Sequence, residues 1–367
     1  MSGNDERAAR LLHLGVEALP KGAARSLPLV QTSTFHLPGD PAGVPGYGRM
    51  NNPTWEATEE ALALIEGAPT RLFPSGMAAI AAALFATLKA GDRLLLPSDG
   101  YYTTRLLAED FLAPFSVTVE TRGSADFAAG GFDGFAVVFI ETPSNPGLDV
   151  IDLAATCAAV RASGGVSIVD NTTMTALGQR PLDLGADIVV ASDTKAPAGH
   201  SDVLAGHVSS RDPALVDRMT LWRKLSGSIP GPQEAWLLHR SLETLEVRFA
   251  RMCASAQVIA ERLAAHPAVA NLRYPGLPSD PGHAVARRQM TTGGFLIGFE
   301  LADEARAEAF LADCPLVDPT TSFGGTHSSA ERRARWGDAV APGFLRLSIG
   351  LEPVETLWAA IEAALAR

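Results

Sequence analysis

The hydrophobic pattern of the chain changes near residue 52, where two kinds of segment begin to alternate. Helical patterns cover Thr54 to Ile65 and Gly76 to Lys89, and a glycine follows each of them. Short, continuous apolar runs lie between the later helical stretches and are typical of parallel strands buried on both faces. These runs are RLLLP at 93–97, FAVVFIE at 135–141, VSIVD at 166–170 and DIVVAS at 187–192. The alternation predicts an α/β layer fold.

The two flanking regions follow different patterns. Residues 1–50 show no sustained period, and we expect them to form an ordered N-terminal arm. A long helical stretch at 233–265 is followed by strand and helix patterns that predict an α+β region. The strand patterns are VANLRYP, GGFLIGFEL and FLRLSIGL, and the helical patterns cover 303–313 and 354–365. We therefore predict an arm at 1–50, a large domain at 51–235 and a C-terminal small domain at 236–367.

Composition narrows the classes of function. The 367 residues are 47% hydrophobic and can bury a large core, while a net charge of −11 argues against a nucleic-acid partner. The charged start does not resemble a secretory signal, and the apolar stretch Met77 to Leu88 is shorter than the roughly 20 residues of a membrane helix. The three cysteines lie far apart and the eight histidines are scattered. We therefore expect a cytoplasmic protein without a metal site or a membrane partner.

A lysine lies just beyond one of the predicted strands, in the segment SDTKAPAGHSD at 192–202. A lysine at the carboxyl end of a buried strand faces the crevice in which α/β sheets bind ligands. Partial burial or nearby cations would lower the pKa of the Lys195 amine and make it a nucleophile. Ser192 and Thr194 could offer hydroxyl groups to a phosphate. The alternative is a solvated lysine in a polar loop.

Two further features point to a cofactor site. Asp170 ends the predicted strand VSIVD, so we expect it at a strand end next to that of Lys195. An acid there could keep a pyridine nitrogen protonated, which makes the ring of pyridoxal-5′-phosphate (PLP) an electron sink. Gly76 and Met77 open a helix, and the N–H groups of a helix N-terminus bind phosphate. Alternatively, Asp170 is a strand-end cap and Gly76 only assists a turn.

Eight short motifs are spread along the chain: YGRMNNPT at 47–54, FPSGMAAI at 73–80, YYTTR at 101–105, ETPSNP at 141–146, VDNT at 169–172, SDTKAPAGHSD at 192–202, SFGG at 322–325 and RLSIGLE at 346–352. From about Gln31 to the C-terminus, the chain resembles the Cys/Met-metabolism family of PLP enzymes. This family includes cystathionine γ-lyase, cystathionine β-lyase, cystathionine γ-synthase and methionine γ-lyase. The resemblance implies the aspartate aminotransferase-like fold of PLP-dependent transferases (fold type I). That fold has a mostly parallel sheet, helices on both faces and a smaller C-terminal α+β domain.

The resemblance also implies catalytic roles. Lys195 matches the lysine that binds PLP as a Schiff base and moves protons on the substrate. Asp170 matches the partner of the pyridine nitrogen. Tyr101 matches the aromatic residue that stacks on the ring and takes part in proton transfer, although Tyr102 beside it makes that match less clean. Asn145 matches a side chain near the phenolic oxygen of the cofactor; the alternative is a turn asparagine before proline.

Further matches concern the phosphate site of the family and the contribution of the neighbouring subunit to it. Four residues match the phosphate site of the family: Gly76, Met77, Ser192 and Thr194. Tyr47 and Arg49 match a pair that reaches the phosphate from the neighbouring subunit, and a planar guanidinium suits a phosphate. The resemblance thus implies a site built from two chains, in a homotetramer that is a dimer of active-site dimers.

The substrate residues both match the family and depart from it. Arg346 matches the clamp on the α-carboxylate of an amino-acid substrate, and Ser322 matches a residue near the same group. Thr321 stands at the substrate site where γ-lyases and γ-synthases often carry glutamate and some β-lyases carry tyrosine. Gly46 stands where several members place an acid. The acidic groups that usually help to hold the distal end of cystathionine are therefore missing at these two positions.

The segment at 227–248 resembles a bacterial branch described as cystathionine γ-lyase. We therefore expect γ-elimination of cystathionine to cysteine, 2-oxobutanoate and ammonia. Within the family the alternatives are β-elimination to homocysteine, pyruvate and ammonia, a γ-synthase or sulfhydrylase reaction, and a methionine γ-lyase-like activity. An alternative of another class is a PLP-fold protein that has lost catalysis and serves as a binding or regulatory subunit. The presence of both Lys195 and Asp170 speaks against that alternative.

Overall fold

A computed structural model describes residues 3–367 of the chain. Its helices are α1 (Gly3–Leu12), α2 (Pro53–Glu66), α3 (Gly76–Thr87), α4 (Tyr102–Phe111), α5 (Leu153–Ala162), α6 (Thr175–Gly178), α7 (Pro213–Ser226), α8 (Pro232–Leu242), α9 (Leu245–Ala264), α10 (His283–Gln289), α11 (Glu304–Asp313) and α12 (Val354–Leu365). Side-chain caps mark several starts: Asn52 accepts a hydrogen bond from the N–H of Thr54, and Ser75 accepts one from that of Ala78. Across residues 3–367, no helix is long and apolar enough to span a bilayer.

Seven strands form the larger sheet: β1 (Thr70–Phe73), β2 (Arg93–Pro97), β3 (Thr118–Arg122), β4 (Val137–Glu141), β5 (Val166–Asp170), β6 (Ile188–Ala191) and β7 (Gly206–Ser209). Their order is β1-β7-β6-β5-β4-β2-β3. β7 is antiparallel to β1 and β6, whereas the other neighbouring strands are parallel. The carboxyl ends of β4, β5 and β6 therefore meet at one edge, which is where α/β sheets bind ligands.

Helices cover both faces of this sheet, as strands with buried apolar side chains on two sides require. On one face, α3 and α7 pack against Phe139, Ile168 and Val190. On the other face, α5 packs against Val138 and Ile140. The prediction of an α/β fold with a mostly parallel sheet between helical layers is confirmed.

Four strands form the smaller sheet: β8 (Ala270–Arg273), β9 (Leu296–Glu300), β10 (Ser329–Arg332) and β11 (Phe344–Ser348). Their order is β10-β11-β9-β8, and all neighbouring strands are antiparallel. Residues of α9, α11 and α12 share a core with this sheet. The domain limits proposed near residues 50 and 235 stay predictions. α8, which spans the second limit, packs against α2.

Several elements carry no clear pattern in the sequence. The predicted stretch at 233–265 is two helices, α8 and α9, with a break between them. The arm, expected to lack a regular period, begins with the helix α1. β7 and β10 are buried although they contain His207, Ser209, Glu331 and Arg332. Ion pairs and hydrogen bonds satisfy these polar groups inside the protein, so hydrophobicity alone does not reveal the two strands.

Candidate active site

A cavity of about 350 Å³ lies at the carboxyl ends of β4, β5 and β6 and also borders β10 and β11. Eleven predicted site residues line it: Gly76, Met77, Tyr101, Asn145, Asp170, Ser192, Thr194, Lys195, Thr321, Ser322 and Arg346. Tyr47 and Arg49 do not. A volume of this size falls in the range of roughly 300–1,000 Å³ that small-molecule sites occupy. The structure thus gathers residues from distant motifs around one space, while their individual roles stay predictions.

Lys195 lies in the turn that follows β6, with its amine at the cavity. Nζ donates a 2.7 Å hydrogen bond to Oγ of Ser322 and lies 5.0 Å from the centre of the Phe323 ring. Burial and the positive charge of Arg346 lower the pKa of Lys195 to about 8, although Asp170 opposes them. An appreciable fraction of the amine is therefore uncharged near neutral pH, as a nucleophile or a base requires.

Asp170 ends β5 and faces the same cavity. Thr172 donates to its Oδ1 through both its hydroxyl group, at 2.5 Å, and its backbone N–H, at 2.9 Å. The N–H of Ser192 donates in turn to the Thr172 hydroxyl at 2.9 Å, so one threonine links the acid to the lysine turn. Burial raises the pKa of Asp170, while Thr172 and the charges of Lys195 and His207 oppose that rise. A cation placed beside Asp170 would stabilise its ionised form.

The N-terminus of α3 forms an anion-binding part of the wall. The N–H groups of Gly76 and Met77 precede the first hydrogen bond within the helix, so they are available to a ligand. Glycine is needed at position 76, because a Cβ there would lie 2.6 Å from Cβ of Ser192. The Thr194 hydroxyl already donates to the carbonyl of Ala205 at 3.2 Å. The helix end and Ser192 are therefore the better-placed part of the predicted phosphate site.

Arg346 extends from β11 into the buried wall of the cavity. Its Nη1 donates to Oδ1 of Asn145, and its Nη2 donates to the carbonyl of Ser322 at 2.9 Å and to Glu331 at 3.1 Å. Its Nε is buried and has no hydrogen-bond partner among the described residues. A buried donor of this kind calls for an acceptor. A substrate carboxylate at this wall would supply one.

The SFGG loop joins the lysine turn to this arginine. Ser322 has φ = +79°, a left-handed conformation that is uncommon for residues other than glycine. In that conformation its hydroxyl accepts from Lys195 while its carbonyl accepts from Arg346. A Cβ at Gly324 would lie 2.6 Å from the backbone nitrogen of Ala196, so the loop packs directly on the lysine turn.

Glu141 is a site residue that the sequence analysis missed, although it begins the ETPSNP motif. One of its oxygens accepts from the N–H of Tyr101 at 2.6 Å and the other from the N–H of Asn145 at 2.7 Å. Burial and the neighbouring charge of Asp170 raise the pKa of Glu141 to about 8. Glu141 therefore fixes the two loops that carry Tyr101 and Asn145. Its place at the end of a buried strand, like that of Asp170, was the available signal.

A second missed group lies on the other side of the cavity. Glu331 pairs with Arg346 across β10 and β11 and also accepts from Arg333 at 2.8 Å and from the indole of Trp336 at 2.5 Å. Asp338 holds the other side of the Arg333 guanidinium at 2.8 Å. We call Arg333–Trp336 the distal turn. The charged sequence AERRARW hides this turn, because its polar groups are satisfied only in the folded protein.

The remaining predicted residues lie at or beyond the edge of the cavity. The rings of Tyr101 and Tyr102 meet edge-on, with centres 5.6 Å apart. Tyr47 is 46% exposed, and Arg49 donates to the carbonyl of Lys224 at 2.5 Å. Neither Tyr47 nor Arg49 reaches the cavity of its own chain. Their predicted contact with a phosphate therefore requires a second chain.

These residues fit PLP on structural grounds. The free N–H groups at the N-terminus of α3 suit its phosphate, and Asp170 suits its ring nitrogen. Gly76 has no side chain, so its backbone alone faces Ser192 at this part of the wall. Lys195 offers an amine with a lowered pKa to its aldehyde. Within residues 3–367, no three metal-ligating side chains are grouped as a metal site would be. Fold and cavity together define a PLP-dependent α/β enzyme.

Comparison with known proteins identifies the family. The model of the family described as "Cys/Met metabolism PLP-dependent enzyme" matches residues 8–366. The chain belongs to this family, which confirms the predicted family and cofactor. A "Putative cystathionine gamma-lyase" of Streptomyces coelicolor is 48% identical over 90% of this chain and 86% of its own length.

Other relatives have other activities in their names. A cystathionine beta-lyase of Lactococcus lactis is 36% identical over 97% of this chain and 98% of its own length. The crystal structure of cystathionine gamma synthase from Xanthomonas oryzae in complex with cystathionine has a TM-score of 0.92 and 34% identity. That match covers 98% of this chain and 97% of the other. The fold type is thereby confirmed, whereas these relatives leave the reaction open among lyases and synthases.

Proposed function

We propose that the protein is a PLP-dependent carbon–sulfur lyase that cleaves cystathionine by γ-elimination to cysteine, 2-oxobutanoate and ammonia. The proposal rests on one cavity that brings together the amine of Lys195, the buried acid Asp170 and an arginine, Arg346, with a free Nε. When bound, PLP supplies an electron sink for negative charge at the substrate α-carbon. The residues of the chain hold the cofactor, orient the substrate and move protons.

Arg346 binds the α-carboxylate of the substrate in this proposal. Asn145, Ser322 and Glu331 already hold both Nη groups, so the guanidinium is oriented before the substrate arrives. Arg346 keeps its charge, because burial lowers its pKa only to about 10. The unpartnered Nε gains its missing acceptor when the carboxylate binds. A fixed orientation of this kind reduces the entropy lost on binding.

Lys195 moves the protons in this proposal. Its amine, uncharged above a pKa of about 8, removes the α-proton and then shifts a proton from the β-carbon. The γ-carbon–sulfur bond breaks next, and the departing cysteine sulfur takes up a proton. Water then hydrolyses the remaining four-carbon fragment to 2-oxobutanoate and ammonia. Tyr101, which also lines the cavity, is the proposed partner in proton transfer. Asp170 stabilises the protonated ring nitrogen of the cofactor throughout.

The distal turn receives the sulfur-containing arm of the substrate. Trp336 lines the cavity and is 49% exposed, while Glu331 holds its indole N–H. The guanidinium of Arg335 lies over this ring, 5.4 Å from its centre, and the exposed part of the ring is available to a thioether, since sulfur contacts aromatic rings favourably. Glu331 and Asp338 both pair with Arg333, but Glu331 also pairs with Arg335 and Arg346, so two acids face three arginines and this wall has a net positive charge.

The choice of γ-elimination is supported by the S. coelicolor relative, at 48% identity. The test is to incubate PLP-loaded protein with L-cystathionine and to identify the keto acid and the thiol. We expect 2-oxobutanoate and cysteine in equal amounts. Pyruvate and homocysteine as main products would overturn the choice and leave the cofactor chemistry intact. The Lys195→Ala variant serves as the blank.

β-Elimination to homocysteine, pyruvate and ammonia is the second candidate. The L. lactis relative named cystathionine beta-lyase, 36% identical, favours it. The same product analysis decides between the two reactions.

We further propose that two chains build each active site and that dimers pair into a tetramer. Tyr47 and Arg49 lie outside the cavity of their own chain, and Met50 and Val44 nearby are largely exposed. Mixing Lys195→Ala with Arg49→Ala chains tests this arrangement. Random pairing should restore about a quarter of the wild-type activity, because hybrid dimers contain one intact site. No recovery after proven chain exchange would contradict the shared site.

We also propose that the protein acts in the cytoplasm. Cys157, Cys253 and Cys314 are buried and unpaired in the structure. Burial raises the pKa of Cys157 to about 11 and that of Cys253 to about 12, so both stay as thiols. Buried thiols without partners suit a reducing compartment. Fractionation of the source cells would test the location.

A further inference from the structure

Three buried ionisable side chains lie behind the lysine turn and do not line the active-site cavity. They are Glu66, the last residue of α2; Asp193, in the turn between β6 and Lys195; and His207, in β7. Their exposed fractions are 5%, 0% and 3%. Nδ1 of His207 lies 2.9 Å from both oxygens of Asp193, and its Nε2 lies 3.2 Å from Glu66.

The imidazole between the two acids is charged. Burial by itself would lower the pKa of His207, but Asp193 and Glu66 together raise it to about 10. Both ring nitrogens therefore carry a proton, and each donates to a carboxylate. Hydrogen bonds between two charged groups are the strong ones, so the cluster is a rigid link.

The residues of the lysine turn face two sides. Ser192, Thr194 and Lys195 line the active-site cavity, whereas Asp193 lines only a small void behind it, together with His207 and Glu66; Ser192 borders both spaces. The turn is also closed by its own backbone, because the N–H of Ala198 donates to the carbonyl of Asp193 at 2.9 Å. The front of the turn thus carries the predicted cofactor contacts. Buried charged groups hold the turn at two places: His207 and Glu66 at Asp193, and Arg248, which donates to the carbonyls of Ala196 and Pro197 at 2.6 and 3.0 Å.

The link at Asp193 has a fixed base. His207 pairs with Ala191 at the end of β6 and with Leu72 in β1, so its backbone lies inside the sheet ladder. Glu66 adds a link to the end of α2, a position where the helix dipole disfavours a carboxylate and a neighbouring cation compensates. A turn is normally the mobile part of a sheet. Here the link joins it to a central strand.

We propose that Asp193 is a positioning residue for Lys195. The protonated His207 holds Asp193 on the side of the turn away from the cavity, so that the amine of Lys195 and the Ser192 hydroxyl keep their positions relative to the cofactor. This inference rests on the proposed role of Lys195 but not on the identity of the substrate. A failure of the cystathionine reaction would leave it untouched, because it is measured on cofactor binding.

A matched pair of variants tests the proposal. Asp193→Asn and Glu66→Gln each remove one carboxylate and leave the imidazolium paired with the other, so neither leaves an isolated buried charge. The readouts are the rate at which apoprotein captures PLP, followed by absorbance, and the dissociation constant for PLP. Thermal denaturation midpoints and the separate values of kcat and KM complete the comparison.

We expect Asp193→Asn to slow capture and weaken PLP binding about tenfold, the effect of losing one charge-assisted hydrogen bond. Glu66→Gln should stay within about twofold, since it acts on the side of the imidazole away from the turn. In Asp193→Asn, kcat should fall while KM stays within about twofold, because substrate binds on the opposite wall.

Three results would overturn the proposal. The first is PLP capture at the wild-type rate in folded Asp193→Asn. The second is an equal loss in both variants, which would show a general effect of the buried charges. The third is unfolding of Asp193→Asn while Glu66→Gln stays folded, because the link at Asp193 would then serve folding and not the placement of the amine. Asp280→Asn, which removes a buried carboxylate paired with Arg273 in the C-terminal region, is the control for burial alone.

Discussion

The cofactor side and the substrate side of the cavity are built by different means. On the cofactor side, Asp170 ends a parallel strand and Lys195 follows the next one, so the backbone ladder determines where both residues lie. On the substrate side, Arg346 and Glu331 face each other across two antiparallel strands and are held by ion pairs. The first arrangement depends on topology and the second on individual side chains.

The difference indicates where function is fixed and where it can change. A strand end keeps its place when neighbouring side chains change, whereas an ion-pair wall is altered by a single substitution. Variants on the cofactor side should therefore change turnover and cofactor capture. Variants on the substrate side should change KM and selectivity.

Lys195→Ala should have the largest effect. In the proposed mechanism, loss of the amine removes both the covalent attachment of PLP and the proton carrier, so kcat should fall by about 10³-fold or more. Steady-state assays and absorbance of the bound cofactor measure this. Lys89→Ala, on the surface, is the control. Turnover of Lys195→Ala within tenfold of wild type would contradict the assignment of catalysis to the cofactor side of the cavity.

Asp170→Asn should lower kcat by about 10²-fold while KM changes less than about threefold. The amide keeps the size of the side chain but cannot balance a protonated ring nitrogen. A purely structural role would instead lower the denaturation midpoint and leave the kcat of the folded fraction unchanged. Calorimetry together with active-site titration separates the two outcomes.

Arg346→Gln should raise KM about 10- to 100-fold, since a hydrogen bond to a charged group contributes roughly 1.5–3 kcal/mol. Arg346→Lys, which keeps the charge but not the planar fork, should fall between wild type and Arg346→Gln. An unchanged KM in both variants would show that the substrate carboxylate does not bind to Arg346. Initial rates over a range of substrate concentrations provide the measurement.

Capture of PLP by the apoprotein should depend on pH through Lys195. Only the uncharged amine attacks the aldehyde, so the rate should rise about tenfold per pH unit up to its pKa of about 8 and then level off. In Arg346→Gln the midpoint should move to higher pH, because a cation that disfavours the charged amine is gone. A wild-type midpoint near that of an ordinary lysine would contradict the lowered pKa.

Trp336→Ala should have the smallest effect. We expect KM for cystathionine to rise about three- to fivefold, the loss of roughly one ring contact. O-Acetyl-L-homoserine, which carries no sulfur, should be processed as by wild type. An equal change for both substrates would show that the distal turn shapes the cavity as a whole and does not contact the arm.

The same contrast explains how far the sequence could be interpreted. Asp170 and Lys195 follow apolar runs at neighbouring strand ends, so their proximity is predictable from hydrophobic pattern and topology alone. Gly76 and Met77 are likewise found by their place at a helix start. Each of these predictions needs only local pattern and the rule that parallel strands end at one edge.

Other parts of the site escape prediction because they depend on contacts between distant segments. Glu331 meets Arg346 only after β10 and β11 pair, and Asp193 meets His207 only after β6 and β7 pair. β7 and β10 contain charged or polar residues that disguise them as loops. Nothing in the local pattern reveals that a buried acid and a buried base will satisfy each other.

The packing of Gly324 on Ala196 has a practical consequence for protein engineering. With 2.6 Å between a would-be Cβ and the backbone nitrogen, position 324 tolerates no side chain unless the lysine turn moves. Thr321, three residues earlier in the same loop, lines the cavity and is exposed. Libraries that seek new thioether substrates should therefore randomise positions 321 and 336 together and leave 324 invariant.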